Sequence, residues 1–134
     1  MIANKSLLQT GYYCRTVNQT IISMAFNCCN FLCPVTLESL GCWRDEANRA
    51  IPTLEGLDPV LDGSYGTRQE AVAKCVQAGF SRGYNVIALQ AGGWCAGSRD
   101  ALYTYQKYGP VASCPTKGSG ATNHVYKLKI HSET

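Results

Sequence analysis

The amino-acid sequence predicts a small α+β domain of the disulfide-rich class, preceded by an extended N-terminal arm. Three observations predict it: a length of 134 residues, eight cysteines, and one clear helical pattern accompanied by short β-type segments. A chain of this length forms one domain. We place the arm in residues 1–39 and the core domain in residues 40–134, because clear hydrophobic periodicity is found only after the arm.

The cysteines predict a disulfide framework in an oxidising compartment. Their number is even, most are widely spaced, and cytosolic chains seldom carry so many thiols. Zinc sites would need closely spaced cysteine pairs in two clusters, and the sequence has only one loose cluster. The predicted disulfide-forming residues are Cys14, Cys28, Cys29, Cys33, Cys42, Cys75, Cys95 and Cys114.

Two glycosylation sequons, at Asn4 and Asn18, agree with a secreted protein, although such motifs also occur by chance. The first residues lack the continuous apolar region of a signal peptide, so a secreted chain would have lost its signal or been cut from a longer precursor. Residues 16–37 carry no charge, but several polar residues and a proline interrupt them. We therefore predict no membrane span.

The main helix is predicted to begin near Thr67. Thr67 and Glu70 have the spacing of a capping box, in which the two side chains satisfy backbone N–H groups at the start of a helix. Apolar residues then recur with helical spacing, and Gly79 or Gly83 can end the helix with a positive φ. The predicted buried face consists of Val72, Cys75, Val76 and Phe80.

Three strands are predicted around this helix. Residues 84–90 are apolar and β-branched, as in a central strand. Residues 125–131 alternate between apolar and lysine side chains, as in a half-buried antiparallel strand. A third strand is expected around Cys42. Residues 98–110 predict a short helix, and residues 55–67 a long loop built from proline and glycine turns.

The positions of the cysteines predict two bridges in the core. Cys75 faces inward from the helix and Cys95 follows the central strand, so a bond between them would join helix to sheet. Closing this loop would contribute about 3 kcal/mol. We predict Cys42–Cys114 as the second bridge. The other four cysteines would pair among themselves, or one would pair with another chain.

The protein is predicted not to be an enzyme. Its two histidines, His124 and His131, lie late in the chain, and no nucleophile can be assigned a positioned base from the sequence. We expect His124 to cap the edge of a strand. The acidic residues lie mostly in turns, which does not match the paired carboxylates of glycosidases.

Metal, cofactor and nucleic-acid binding are not predicted either. Glu55, Asp58 and Asp62 lie close together in sequence, but their spacing matches no established calcium loop with oxygen ligands. The formal net charge of +3 comes from scattered basic residues, whereas nucleic-acid binding requires a basic face. We predict no metal, no cofactor and no nucleic-acid partner.

The stretch LGCWRDEANRAIP, residues 40–52, has two interpretations. In the structural one, Asp45 or Asn48 caps a turn, Arg49 forms a buried ion pair, and Trp43 covers the bridge at Cys42. In the functional interpretation, the aromatic rings cover the apolar face of a sugar, and the planar amide, carboxylate and guanidinium groups hydrogen-bond to its hydroxyls. The tyrosines of residues 103–108 have the same two interpretations, as packing residues or as a contact surface.

The disulfides could bring the two tryptophans, each next to a cysteine, into proximity. The predicted ligand-binding residues are Trp43, Arg44, Asp45, Asn48, Arg49, Gln90, Trp94, Tyr103, Tyr105 and Tyr108.

The order of these features resembles a WSC domain, a cysteine-rich extracellular module of fungal cell-wall sensors, animal receptors and secreted carbohydrate-active enzymes. The matching features are Gly41-Cys42 followed by an acidic residue and Asn48-Arg49-Ala50, a helix with one cysteine, VIALQAGGWCAG, Cys114 and the closing HVYKL. Uncharacterised modules of secreted and receptor-like proteins from marine invertebrates are more similar still.

The resemblance covers about residues 41–130 and implies an apple/PAN-like fold, with one helix packed on a curved antiparallel sheet. It also implies glycan binding or adhesion. The chain departs from the family pattern because its core holds four cysteines and WCAGS lacks the second cysteine of the family's Cys-x-Cys-Gly step.

The predicted function is that of a secreted, non-catalytic binding module with lectin-like recognition of polysaccharide or glycoprotein glycans. An alternative is a structural or adhesive extracellular subunit that assembles through its N-terminal arm. A third is a secreted toxin or inhibitor, based on cysteine density alone. The predicted partners are glycans or extracellular glycoproteins, with self-association as an option.

Overall fold

The structure is a computed structural model that describes residues 10–13 and 33–130. The predicted glycosylation sites, Cys14, Cys28, Cys29 and His131 lie outside the described residues, as does most of the uncharged stretch 16–37. In the part of the chain that is described, no helix is both long enough and apolar enough to cross a membrane.

An antiparallel sheet of six strands forms the centre of the described structure. The order of five strands is β1-β2-β6-β3-β4, and the short β5 pairs with the end of β2. This arrangement confirms the predicted α+β class with an antiparallel sheet. The strands are β1 (Thr10–Tyr13), β2 (Cys33–Arg44), β3 (Val86–Gln90), β4 (Trp94–Gly97), β5 (Pro110–Val111) and β6 (Thr122–Ile130).

The main helix, α1, spans Ala71–Ser81, and its four predicted inward residues are all buried, as expected. Gly83, with φ +79°, follows its end. The predicted capping box is wrong. Thr67 lies in a 3-10 turn, and Glu70 takes a left-handed conformation (φ 52°) without a side-chain cap. The reason is Arg68, whose guanidinium points into the core and so places a turn where the helix was expected to start.

The remaining helical segments are short. Helix α2 spans Ala101–Thr104, within the region where a short helix was predicted. Its N-cap residue is Asp100, whose side chain makes no capping hydrogen bond. The predicted loop 55–67 contains two 3-10 turns, at Pro59–Leu61 and Tyr65–Thr67. The Asp58 side chain caps the first of them by accepting from the Val60 amide.

The sheet has two covered faces, because successive strand residues point to opposite sides. The helix face packs against α1 and includes Ile87, Leu89, Cys95, Tyr126 and Leu128. The opposite side, which we call the loop face, is covered by residues 45–51 and α2. The apolar cluster there consists of Ala50, Ile51, Val86, Ala88, Trp94, Ala96, Ala101 and Val125. The domain therefore has three layers, with the sheet in the middle.

Strand β2 contains a β-bulge, where the register with β6 shifts between Ser39 and Gly41. Before the bulge Ser39 is opposite Tyr126, and after it Cys42 is opposite His124. The proposed boundary between arm and core, at residues 39 and 40, lies within this strand. The arm thus contributes β1 and the first part of β2 to the same sheet.

Both predicted core disulfides are present. Cys75–Cys95 joins α1 to β4, with Cα atoms 5.4 Å apart. Cys42–Cys114 joins β2 to the segment that precedes β6, with Cα atoms 6.0 Å apart. The pairing of the four cysteines of the arm stays a prediction.

Candidate functional site

The candidate site lies on the loop face, where β2 ends and residues 45–51 begin. Asp45 is 3% exposed and organises this turn. One carboxylate oxygen accepts a hydrogen bond from the Ala50 amide (2.9 Å), and the other accepts from Arg49 (3.0 Å) and from the Gln90 side-chain amide (2.9 Å). The prediction that Asp45 caps a turn is confirmed.

A buried polar chain connects this turn to the sheet. Gln90, at the end of β3, also donates to the side-chain oxygen of Asn123 in β6, over 2.8 Å. Asn123 is fully buried, and its side-chain nitrogen has no hydrogen-bond partner among the residues that the structure describes. Side-chain hydrogen bonds thus connect the turn after β2, the end of β3 and the start of β6, in addition to the backbone hydrogen bonds of the sheet.

Sequence reasoning missed Asn123. The predicted alternation gave no signal for it, because it extends backwards from residues 125–131 and places Asn123 on the side of Lys127 and Lys129, which the pattern predicts to be exposed. The structure shows instead that this side of the strand is buried at Asn123 and Val125.

The two tryptophans are packed into one apolar cluster on the loop face. The guanidinium of Arg49 lies 4.7 Å from the centre of the Trp94 ring, which is 9% exposed. Trp43 meets Tyr105 edge to face, with ring centres 5.1 Å apart, and its indole N–H donates to the Leu40 carbonyl. Both tryptophans thus belong to one cluster, Trp43 beside Tyr105 and Trp94 beside Arg49, and their direct proximity stays a prediction.

Two details of the structural interpretation of residues 40–52 are wrong. Trp43 does not cover the Cys42 bridge, because adjacent residues of a strand point to opposite faces and Trp43 packs on the loop face. The ion pair of Arg49 is buried only at Asp45, because the Arg49 side chain remains 42% exposed. Arg49 therefore presents part of its guanidinium to solvent while Asp45 and Trp94 hold it in place.

The three predicted tyrosines divide between packing and exposure. Tyr105 is half-buried against Trp43, and the Tyr108 hydroxyl donates to the backbone carbonyl of Asn48. Tyr103 is 83% exposed.

The ten predicted ligand-binding residues thus take different positions at this end of the molecule. Asp45, Gln90 and Trp94 are buried and support the turn. Six others form what we call the loop-face surface, which consists of exposed Asn48, Arg49 and Tyr103 and half-buried Trp43, Tyr105 and Tyr108. Arg44 is exposed but follows Trp43 in β2, so its side chain points to the opposite face and lies outside this surface.

Two of the three acidic residues named above for calcium, Glu55 and Asp58, are engaged with arginines. Glu55 accepts two hydrogen bonds from Arg68, each 2.8 Å long, and Asp58 accepts one from Arg82. Burial raises the pKa of the Glu55 carboxyl, but the hydrogen bonds from Arg68 and the Cys95 amide, together with the charge of Arg68, outweigh it and hold the pKa below its ordinary value. These carboxylates therefore fasten the loop 55–68 and do not form a cation site together.

The structure also places Ser39 and His124 side by side, a pair that sequence reasoning missed. The Ser39 hydroxyl lies 2.8 Å from Nε2 of His124. His124 does not cap a strand edge as expected, because it lies within β6 with β2 on one side and β3 on the other. No local signal could have identified the pair, since 85 positions separate the two residues in sequence.

Comparison of the chain with protein-family models, curated proteins and solved structures finds no significant match. The WSC-like resemblance therefore stays a prediction from sequence motifs.

Proposed function

We propose that the protein is a secreted, lectin-like binding module that recognises glycans through its loop-face surface, without catalysing a reaction on them. One observation carries this proposal: aromatic and forked polar side chains that are dispersed between residues 43 and 108 converge at one end of the sheet. A sugar ring offers an apolar face and a rim of hydroxyls, and this combination of side chains complements both.

The surface is prepared for binding by the residues beneath it. Arg49 is held between the carboxylate of Asp45 and the ring of Trp94, so little side-chain entropy remains to be lost when it binds a hydroxyl. Tyr103 extends from α2 with most of its ring in solvent, where it is available to stack on a sugar. Such rigid aromatic and guanidinium groups are typical anchors of binding sites.

The compartment fits this function. The two disulfides indicate an oxidising environment. Secretion and glycosylation at Asn4 and Asn18 are part of the proposal, and mass spectrometry of protein from a secreting eukaryotic host tests them.

A glycan array followed by calorimetry tests the binding function. We expect wild-type protein to bind a defined class of polysaccharide or glycoprotein glycan, and Tyr103→Ala to weaken that binding about tenfold. Tyr65→Ala is the matched control, because Tyr65 is also exposed (42%) but lies on a different part of the chain, in the 3-10 turn before α1. Absence of binding across neutral and acidic glycans, or equal loss in both variants, would overturn the proposal.

Assembly through the N-terminal arm is the second candidate function. Among the strands that the structure describes, β1 is paired on one side only, with β2. An open strand edge can pair with another chain. Gels run with and without reductant, together with light scattering, distinguish the two functions: a monomer under all conditions excludes assembly, and covalent oligomers that bind no glycan favour it.

A further inference from the structure

The hydroxyl of Ser39 and the imidazole of His124 form a hydrogen-bonded pair on the helix face of the sheet, on the side opposite the loop-face surface. Ser39 is exposed and His124 is half-buried, so solvent and small molecules reach the hydroxyl. The distance of 2.8 Å from Oγ to Nε2 is within the range required for a base to take a proton from a nucleophile.

The second ring nitrogen determines which way the proton can move. Nδ1 of His124 lies 3.0 Å from the backbone carbonyl of Pro115. A carbonyl oxygen only accepts hydrogen bonds, so in the neutral imidazole Nδ1 carries the hydrogen and Nε2 presents its lone pair to Ser39. This is the tautomer in which histidine serves as a general base, with a carbonyl in the orienting position that a carboxylate occupies in other serine sites.

The surrounding structure holds the imidazole in this orientation. Its ring is stacked on Tyr126, with ring centres 4.4 Å apart and planes 12° from parallel. The Tyr126 hydroxyl donates to the carbonyl of Thr116. Cys114, the residue before Pro115, is bonded to Cys42, and one imidazole nitrogen lies within 4.8 Å of both sulfurs. The bridge thus fixes the position of the orienting carbonyl.

The β-bulge orients the hydroxyl. Gly41 has φ +96°, a conformation that favours glycine, and its amide donates to Ser39 Oγ over 3.2 Å. Because Oγ accepts this hydrogen bond, its own hydrogen is left to be donated to Nε2 of His124. Bulges commonly redirect a side chain next to a reactive site, and this one places Ser39 against His124.

We infer that Ser39 is a nucleophilic serine, activated by His124, which accepts acyl groups from small esters at the protein surface. Oγ attacks the acyl carbon while its proton moves to Nε2. The bond from that carbon to the leaving oxygen then breaks, and the leaving group takes the proton from Nε2. Water, deprotonated by the same nitrogen, hydrolyses the acyl-serine and restores the starting state.

Labelling with an alkyl fluorophosphonate, followed by peptide mapping, tests the inference. The probe forms a bond from phosphorus to the serine oxygen and releases fluoride, so the modified residue is identified by mass. We expect stoichiometric labelling at Ser39 and none in Ser39→Ala. His124→Gln is expected to lower the labelling rate about 100-fold, because it removes the base. Ser113→Ala, which changes another exposed serine, should label like wild type.

Two further measurements keep the test decisive. Circular dichroism establishes whether His124→Gln is folded. If it is not, the labelling rates of Ser39 and Ser113 are compared within the wild-type protein, and Ser39 is expected to label about 100-fold faster. Failure to label Ser39, labelling equal to that of denatured protein, or equal rates at Ser39 and Ser113 would each overturn the inference. None of these outcomes bears on glycan binding, which uses the opposite face.

Discussion

Arg68 shows how a single buried charge can organise a long segment without regular structure. Its side chain is 2% exposed, and its two terminal nitrogens donate to both carboxylate oxygens of Glu55 and to the backbone carbonyls of Leu61 and Gly93. Glu55 in turn accepts from the amide of Cys95. One guanidinium therefore connects the loop before α1 to strand β4.

Replacing this arginine should unfold the segment that it holds. We expect Arg68→Met to lower the free energy of unfolding by about 3–5 kcal/mol, because a half-buried carboxylate and two buried carbonyls lose their partner. Urea denaturation measures the change. Lys129→Met is the matched control, since its ion pair with Glu38 is about half exposed and such pairs contribute at most about 1 kcal/mol. Similar losses in the two variants would contradict this view of Arg68.

At the scale of elements, the contact between α1 and the sheet is set by a glycine. A Cβ placed on Gly79 would lie 2.5 Å from Cγ2 of Ile87, closer than carbon atoms approach. The absence of a side chain at this helical position therefore allows α1 to lie close to β3. Helix propensity alone would favour alanine, so packing has determined the residue.

The variant Gly79→Ala separates these two effects. Propensity predicts a gain of about 1 kcal/mol, whereas overpacking predicts a loss of about 1–3 kcal/mol, and we expect the net change to be destabilising. Thermal unfolding followed by circular dichroism measures it. Gln77→Ala, at an exposed position of the same helix, should stay within about 0.5 kcal/mol of wild type. A higher unfolding temperature for Gly79→Ala than for wild type would contradict this expectation and show that the sheet moves to accommodate the added methyl group.

The sequence predicted those elements whose signals are local. The inward face of α1, the strands near residues 84–90 and 125–131, and both core bridges follow from periodicity and cysteine position. Strand β4 was not predicted, because Trp94–Gly97 is buried on both faces and shows no alternation. Strand β5 has two residues, and only its pairing with β2 makes it a strand.

The candidate sites follow the same division between local and distant contacts. The turn capped by Asp45 lies within a few residues of sequence and could be anticipated. The contacts to Asn123, and the pairing of Ser39 with His124, arise because β6 inserts between β2 and β3. Sequence order carries no direct signal of that insertion, so these contacts required the structure.

At the scale of the whole molecule, cross-links and carboxylate pairs together stabilise the three layers. The bridges close segments with sequence separations of 20 and 72, for which loop entropy gives contributions of about 3 and about 4 kcal/mol. The carboxylates of Glu55 and Asp58 stabilise the loop before α1 through their ion pairs with Arg68 and Arg82. Burial raises the pKa of the Asp58 carboxyl, but the hydrogen bonds from the Val60 amide and Arg82 lower it by more. The pKa of Asp58 therefore lies below its ordinary value, as does the pKa of Glu55.

These lowered pKa values determine how stability depends on pH. A carboxyl whose pKa is lower in the folded state stabilises the fold above its unfolded pKa, and this stabilisation disappears as the pH falls through the folded pKa. We therefore expect the free energy of unfolding to be level down to about pH 4.5 and to decrease below it. Urea titrations of the oxidised protein at a series of pH values measure this. In Glu55→Gln the acid decrease should be smaller, and an unchanged slope would contradict the role assigned to Glu55.

The central position of β6 has a consequence for how the chain acquires its structure during synthesis. Among the described strands, β6 leaves the ribosome last, and both β2 and β3 pair with it rather than with each other. In the nascent chain, β2 and the β3–β4 hairpin therefore lack their shared partner strand until β6 has been synthesised. The disulfide between Cys42 and Cys114 likewise cannot form until Cys114 has been synthesised. The sheet can therefore be completed only after β6 has been synthesised.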